Sequence, residues 1–232
     1  MDLIWDGLRE AFRILGTGDR DVWGTSLRSL FISGTATAVA LVIGIATGAG
    51  LAFRRFPGRN LAVALVNTGM GLPPVVVGLI VAILLWRSGP LGQLQLIYTP
   101  AAMVVAQTVL AAPVVTGFTV AALSSLPPRL RPQLYALGAS RWQTLWLVMQ
   151  EARLPLLAAI MAGFGHAVSE VGASLMVGGN LSGETRVLTT AVVLDVQRGE
   201  FDSAIALSII LLVLIFLVNA VLTSVQQRGR PA

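Results

Sequence analysis

Apolar residues run along this chain in blocks too long for a half-buried strand and too even for the one-sided stripe of a surface helix. Ser29–Phe53 is 25 residues without a charge, and Asn60–Trp86 is another 27, held between Arg59 and Arg87. About 20 apolar residues carry a helix across a hydrocarbon core. Ser88–Pro128 is also uncharged, but Gly89-Pro90 and the polar run Gln93–Thr99 mark a loop, which places the third span over Pro100–Leu123. Leu154–Val177 is uncharged apart from Glu170, and Ser203–Gln226 carries no charge. The pattern predicts an all-α membrane protein with five transmembrane helices. Ahead of them, Leu3, Ile4, Leu8, Phe12 and Leu15 recur at helical spacing among charges, which predicts an amphipathic segment over 1–25 lying on the membrane. Charges scattered through its apolar positions do not fit a cleavable signal.

Composition sharpens this. Charged residues make up 12 %, about half of what a soluble domain carries, and mean hydropathy is +0.80. All 16 basic residues are arginine, and there is no lysine or cysteine. That excludes disulfide scaffolds, thiolate metal sites and the lysine-containing phosphate loop of many ATPases. With one histidine, His166, no all-protein zinc site is expected. In a chain this apolar the basic excess belongs to the flanks of spans, not to a nucleic-acid surface. Nine arginines lie in Arg54–Arg59, Leu123–Arg153 and the C-terminal tail, against three (Arg87, Arg186, Arg198) in the short loops of the other side. The positive-inside rule then puts the N-terminus outside and the C-terminus in the cytoplasm, as five spans require.

The spans carry further signals. Ala36, Ala40, Gly44, Gly48 and Ala52 place a small residue at every fourth position of the first, a surface for close helix packing. The second contains Asn67-Thr68-Gly69-Met70-Gly71-Leu72-Pro73-Pro74, where glycines and prolines interrupt the backbone ladder at membrane depth. Pro113 in the third, two turns after Gln107, repeats the theme. Such breaks fit a translocation path, or kinks used only for packing. Read as one helix, the fourth span puts Phe164, Val168, Val171 and Leu175 on one face and Gly163, His166, Glu170 and Ser174 on another. A carboxylate at this depth is costly and belongs in the bundle interior or on a water path, and His166 and Glu170 are spaced to pair. A hydrolase built from Ser169, His166 and Glu170 is disfavoured, because one helix cannot easily aim the serine at the histidine. Asn67, Pro73, Gln107, His166, Ser169, Glu170 and Ser174 are the candidate path or gate residues.

Ser124–Arg153 is too polar for a span and too long for a turn. After Pro127-Pro128 a short helix is expected around Pro132–Leu137, stopped by Gly138 in a left-handed conformation. Ser140 and Gln143 then fit a capping box opening a second helix with Trp142, Leu145, Trp146 and Met149 on one side. The prediction is a helix–glycine–helix elbow on the cytoplasmic side.

Here the chain resembles a known family. Ala136-Leu137-Gly138-Ala139-Ser140, followed by Glu151-Ala152-Arg153-Leu154-Pro155, is similar to the cytoplasmic loop by which permeases of ABC importers dock on their ATPase. The glycine matches Gly138. The family's Glu-Ala-Ala falls on Pro132-Gln133-Leu134 and departs from the pattern. A second block, Gly163–Ala173 with Gly178-Gly179-Asn180 and Gly183–Ala191, resembles permeases of tungstate importers, with molybdate and sulfate permeases next, and Leu3–Gly18 with Asp19 is also tungstate-permease-like.

The resemblance implies the type-1 ABC importer permease fold, with a permease domain over 26–222, a coupling loop over about 124–153 and a cytoplasmic tail over 223–232. It implies a homodimer in the cell membrane with two ATP-binding subunits and an extracytoplasmic oxyanion-binding protein, surrounded by lipid. The chain itself is then no enzyme and binds no cofactor, ATP and Mg belonging to the partner ATPase. Ala136, Gly138, Ala139, Ser140, Glu151 and Arg153 become the coupling residues. The anion implied is tungstate, the alternative molybdate or sulfate. Outside the family, the rival is a self-sufficient channel or secondary transporter.

Overall fold

The computed structural model describes residues 5, 7, 9–13, 20–54 and 56–228, and the regular structure among them is helical. Hydrocarbon enforces this, because a helix satisfies its backbone polar groups internally. In order the helices are α1 (Arg20–Phe53), α2 (Arg59–Met70), α3 (Pro74–Leu85), α4 (Pro100–Ser124), α5 (Leu130–Ala136), α6 (Arg141–Glu151), α7 (Arg153–Val168), α8 (Gly172–Gly178), α9 (Leu188–Arg198) and α10 (Phe201–Arg228). Three of them, α1, α4 and α10, are long and apolar enough to cross a membrane unaided.

The second and fourth spans are not the continuous helices that their composition suggests. α2 and α3 meet at 99° across Gly71-Leu72-Pro73. Each has 12 residues, about 18 Å of helix, well short of the hydrocarbon core. Pro74 takes the first position of α3, where its missing N–H costs nothing. In the fourth span α7 stops at Val168, and the chain restarts as α8 at Gly172. The two faces read from an unbroken helix therefore do not exist beyond Val168. His166 and Glu170 lie on opposite sides of a helix end instead of pairing one turn apart.

The core is the α1–α4 seam. Ala36 and Ala40 are fully buried, and Gly44 and Gly48 are buried with them. A Cβ on Gly44 would lie 2.6 Å from Val115 Cγ1 and one on Gly48 2.7 Å from Thr119 Cβ. The stripe of small residues is thus the line along which α4 approaches α1. α2 leans on the same helix at its proline, a Cβ on Gly69 meeting Pro113 at 2.8 Å.

Helix extends into both end segments. α1 starts at Arg20, inside the segment assigned to an N-terminal arm, and so includes Arg28. That side chain crosses to the loop after α8, donating to the carbonyls of Arg186 and Gly183, each at 2.8 Å. Of the N-terminal apolar stripe, Phe12 is exposed, while Ala11 is buried against Leu188, Ala206, Leu207 and Ile210. The small side chain lets the segment approach α10, and the large one cannot. Leu3, Ile4, Leu8, Leu15, Gly18 and Asp19 lie outside the described residues. At the other end α10 stays helical to Arg228, through the first residues of the expected tail over 223–232; residues 229–232 lie outside the described ones.

The seam yields a test. Gly44→Val must push α4 away and should destabilise the protein by about 1–3 kcal/mol, the usual cost of overpacking. Gly34→Ala, on the same helix with nothing within 4 Å of the added Cβ, should be neutral or slightly stabilising. Thermal unfolding of both variants in detergent checks this, and equal shifts would show that the seam is not close-packed.

Candidate functional site

Two places gather the residues singled out by sequence. The first is where the broken spans meet. α3 lies on α8: a Cβ on Gly78 would sit 2.6 Å from Ala173 Cα, and one on Gly172 2.8 Å from Val75 Cγ2. The break at 71–73 and the break at 169–171 are therefore neighbours.

Glu170 is 5 % exposed and joins three helices. Its carboxylate accepts from the Ala173 N–H at 2.7 Å, capping the start of α8. Its backbone carbonyl accepts from the Thr189 hydroxyl of α9 at 3.0 Å. An acceptor is what the first turn of a helix needs, since its N–H groups have no partner within the helix. Around this point α1 supplies hydroxyls: Ser29 accepts from the Leu188 N–H at 2.8 Å, and Ser33 donates to the Ala167 carbonyl at 3.4 Å. From α4, Gln107 donates to Ser174 at 3.1 Å and Thr108 to the Ala36 carbonyl at 3.3 Å. The Gln107 amide oxygen is buried without a partner.

The seven candidate path residues thus fall into two groups. Gln107, Glu170 and Ser174 are buried inside the chain, bracing the broken span. Asn67, Pro73 and Ser169 are exposed, and His166 is half-buried. Ser169 turns its hydroxyl back to the Gly165 carbonyl at 2.8 Å, which is no arrangement for a nucleophile. Ser29, Ser33, Thr108 and Thr189 belong to the same braced region and were not singled out from sequence. The i,i+4 spacing of Ser29, Ser33 and Thr37 was the available signal, since such hydroxyls in a span need a partner.

The second place is the elbow. α5 ends at Ala136, and Gly138 has φ +86°, a conformation that glycine adopts without a Cβ clash. The Ala139 N–H closes the turn on the Leu134 carbonyl at 3.0 Å. Ser140 then opens α6 in a capping box, its hydroxyl accepting from the Gln143 N–H and its N–H donating to Gln143 Oε1 at 2.8 Å. Val148, Ala152 and Leu156 pack under the elbow with Ala122 and Leu123 of α4. The opposite side is bare: Leu137 is 84 % exposed, Trp142 80 % and Trp146 60 %. Ala136, Gly138, Ser140, Glu151 and Arg153 are exposed with them, and Ala139 is half-buried. At Ala152 the chain turns through 71° into α7, so elbow and broken span share one helix.

The model of a family described as "binding-protein-dependent transport system inner membrane component" matches residues 40–231. The chain belongs to this family. It is a multi-pass membrane subunit of an ABC importer, a transport subunit and not an enzyme; members work with ATP-binding subunits and a substrate-binding protein. Among relatives, a probable anion ABC transporter permease protein of Haloferax volcanii is 41 % identical over 197 residues, 83 % of this chain and 85 % of that one. The tungstate uptake system permease protein TupB of Peptoclostridium acidaminophilum is 37 % identical over 227 residues, 98 % of this chain and all of that one. In fold, the chain is similar to a subunit of the MetNI methionine ABC transporter in an inward-facing conformation, with a TM-score of 0.71 over 94 % of this chain and 99 % of that one at 22 % identity. The fold is the type-1 importer permease fold that the elbow suggested.

The cap at Glu170 is testable. Glu170→Gln keeps an acceptor for the Ala173 N–H and should fold and melt close to wild type. Glu170→Leu leaves that donor buried and unmet, and should cost about 1–3 kcal/mol. Thermal unfolding separates them, and equal losses would mean that charge, not capping, is what the site requires.

Proposed function

We propose that this subunit carries an oxyanion, tungstate, across the membrane as half of a homodimer. A full-length likeness to a tungstate permease supports the anion. The exposed polar residues at the breaks support the homodimer: Asn67 faces outward at a depth where lipid offers its amide no partner, and Ser169 is exposed at the neighbouring break. A second copy covering that face gives a passage lined by Asn67, Pro73, Ser169 and His166 from both subunits. Gln107, Glu170 and Ser174 then hold the gate's shape from behind and never meet the anion. No arginine lies in the membrane interior of this path, so the anion is not trapped on its way, and choice of anion rests with the extracytoplasmic binding protein.

One observation carries the coupling role: the elbow presents Leu137, Trp142 and Trp146 to solvent outside the spans. An apolar patch of this kind marks a protein partner. Two ATP-binding subunits, one per elbow, seat on it from the cytoplasm, and ATP and Mg are bound there and not by this chain. The N-terminus is then outside and the C-terminus inside, as the arginine distribution requires.

Gly138→Val tests the elbow, since a β-branched residue at φ +86° is strained by about 1–3 kcal/mol. The variant should insert normally but lose ATP-driven uptake of labelled tungstate in the reconstituted transporter, with hydrolysis uncoupled or the ATPase released. Wild-type uptake would remove Gly138 from the coupling path. Excess molybdate and sulfate in the same assay test the anion, and uptake suppressed by molybdate better than by tungstate would reassign it. Single cysteines at Gly138 and Gln93, in a chain with none of its own, test the orientation: only Gln93 should react with an impermeant reagent outside intact cells.

A further inference from the structure

Between the elbow and the adjoining end of α1 lies a cavity of about 710 Å³ that the transport reading leaves unused. Its lining has two characters. One wall is apolar, made by Ala46, Ala49 and Phe53 of α1 facing Leu145 and Met149 of α6. The rim carries Arg54, Arg131 and Arg141, and no acidic residue lines the cavity. Arg131 is fixed in place, its guanidinium 4.4 Å from the centre of the Phe53 ring and one N–H donating to the Phe53 carbonyl at 3.3 Å. Thr144 also lines the cavity; it is 1 % exposed, and its hydroxyl has no hydrogen-bond partner. Three cations and an unmet donor over an apolar wall describe a receptor for a phosphate that carries a hydrocarbon chain.

The outer face of α1 shows where the chain would run. Val39, Val42, Ile43 and Ala46 are exposed along one stripe of the helix, at spacings of three and four, and Ala49 and Phe53 continue it into the cavity. From Val39 to Phe53 the helix rises about 21 Å, more than the roughly 15 Å of hydrocarbon in one leaflet. A free oxyanion has no use for such a wall. A partner protein's carboxylate would meet the rim but not the stripe, which lies in the membrane.

We propose that this cavity binds an anionic phospholipid, its phosphate among Arg54, Arg131 and Arg141 and an acyl chain along the Val39–Ala46 stripe. Basic pockets beside spans on the cytoplasmic side commonly hold such headgroups. The bound lipid bridges α1 to α5 and α6, and so stiffens the seat of the elbow. Naming the cytoplasmic leaflet rests on the orientation proposed above, but the binding itself does not.

The transporter, with its ATP-binding subunits, is placed in phosphatidylcholine nanodiscs containing a little photoactivatable phosphatidylglycerol. Crosslinks should map to α1 between residues 39 and 53 and be competed by unlabelled phosphatidylglycerol, but not by phosphatidylcholine or millimolar inorganic phosphate. Arg54→Gln with Arg141→Gln, both at exposed positions, should weaken competition about 25-fold, at about fivefold per arginine. Arg198→Gln, at the far end of α9, should leave it unchanged. Because the readout is lipid binding and not uptake, it stands or falls independently of the anion and of coupling. Displacement by inorganic phosphate would make the site a free-oxyanion site. Crosslinks seen only without the ATP-binding subunits would assign the cavity to that partner. Equal competition by phosphatidylcholine would make it an ordinary lipid contact. Each of these overturns the proposal.

Discussion

No backbone N–H or carbonyl can be left in hydrocarbon without a partner, and two of the five spans of this chain stop inside it. The structure is organised around that debt. The breaks at 71–73 and 169–171 are set side by side, with Gly78 and Gly172 allowing α3 and α8 to touch. The Glu170 carboxylate takes the Ala173 N–H, its carbonyl takes the Thr189 hydroxyl, and Ser29 takes the Leu188 N–H. The neighbouring helices lend the polar groups: Ser29 and Ser33 from α1, Gln107 and Thr108 from α4, Thr189 from α9. The long helices α1 and α4, whose own ladders are complete apart from Pro113, form the fixed side against which the broken spans are braced.

What could be read in the sequence was what local chemistry decides. Five apolar blocks follow from composition over 20-odd residues, and the small-residue stripe of α1 from spacing within one helix. Gly138 and Ser140 were legible because a left-handed stop and a capping box are settled within five residues. The break after Val168 was not. No proline marks it, and Glu170 at i+4 from His166 looks like a pair partner when the helix is assumed to continue. Its actual role depends on which segment lies beside it in space. Gly172, two residues on, was the available hint, since a glycine that meets Val75 so closely marks a crossing. The role of Arg28 was equally out of reach, because its carbonyl acceptors are more than 150 residues away.

The division between buried and exposed polar residues carries the functional meaning. A polar residue on a span is read from sequence as one kind of signal, yet here it has two. Gln107, Glu170 and Ser174 are buried and hydrogen-bond within the chain, so their replacement disturbs shape. Asn67 sits on the outside near one break, a position suited to water or another protein surface, and Ser169 is exposed at the other with its hydroxyl turned back to the Gly165 carbonyl. The same breaks that the interior polar residues brace therefore also carry the exposed polar residues, one set on each side of the interrupted backbone.

The connection between the elbow and these breaks is direct. α7 begins just past Ala152, where α6 ends, and reaches the break in 16 residues, about 24 Å, with Gly163 letting it approach Val115 of α4. Its base turns on Ala152, fully buried among Val148, Leu156 and Leu123, and its tip ends at Ser169, where the ladder is already interrupted. α7 thus joins the elbow that carries Leu137 and Trp142 to the Glu170 cap that holds α8. The bonds there are few and single: one to Ala173, one to Thr189, one from Ser33. A helix running on without interruption would be held at this point by a whole turn of backbone hydrogen bonds, whereas ending it at the break leaves the junction to side-chain bonds from the neighbouring helices.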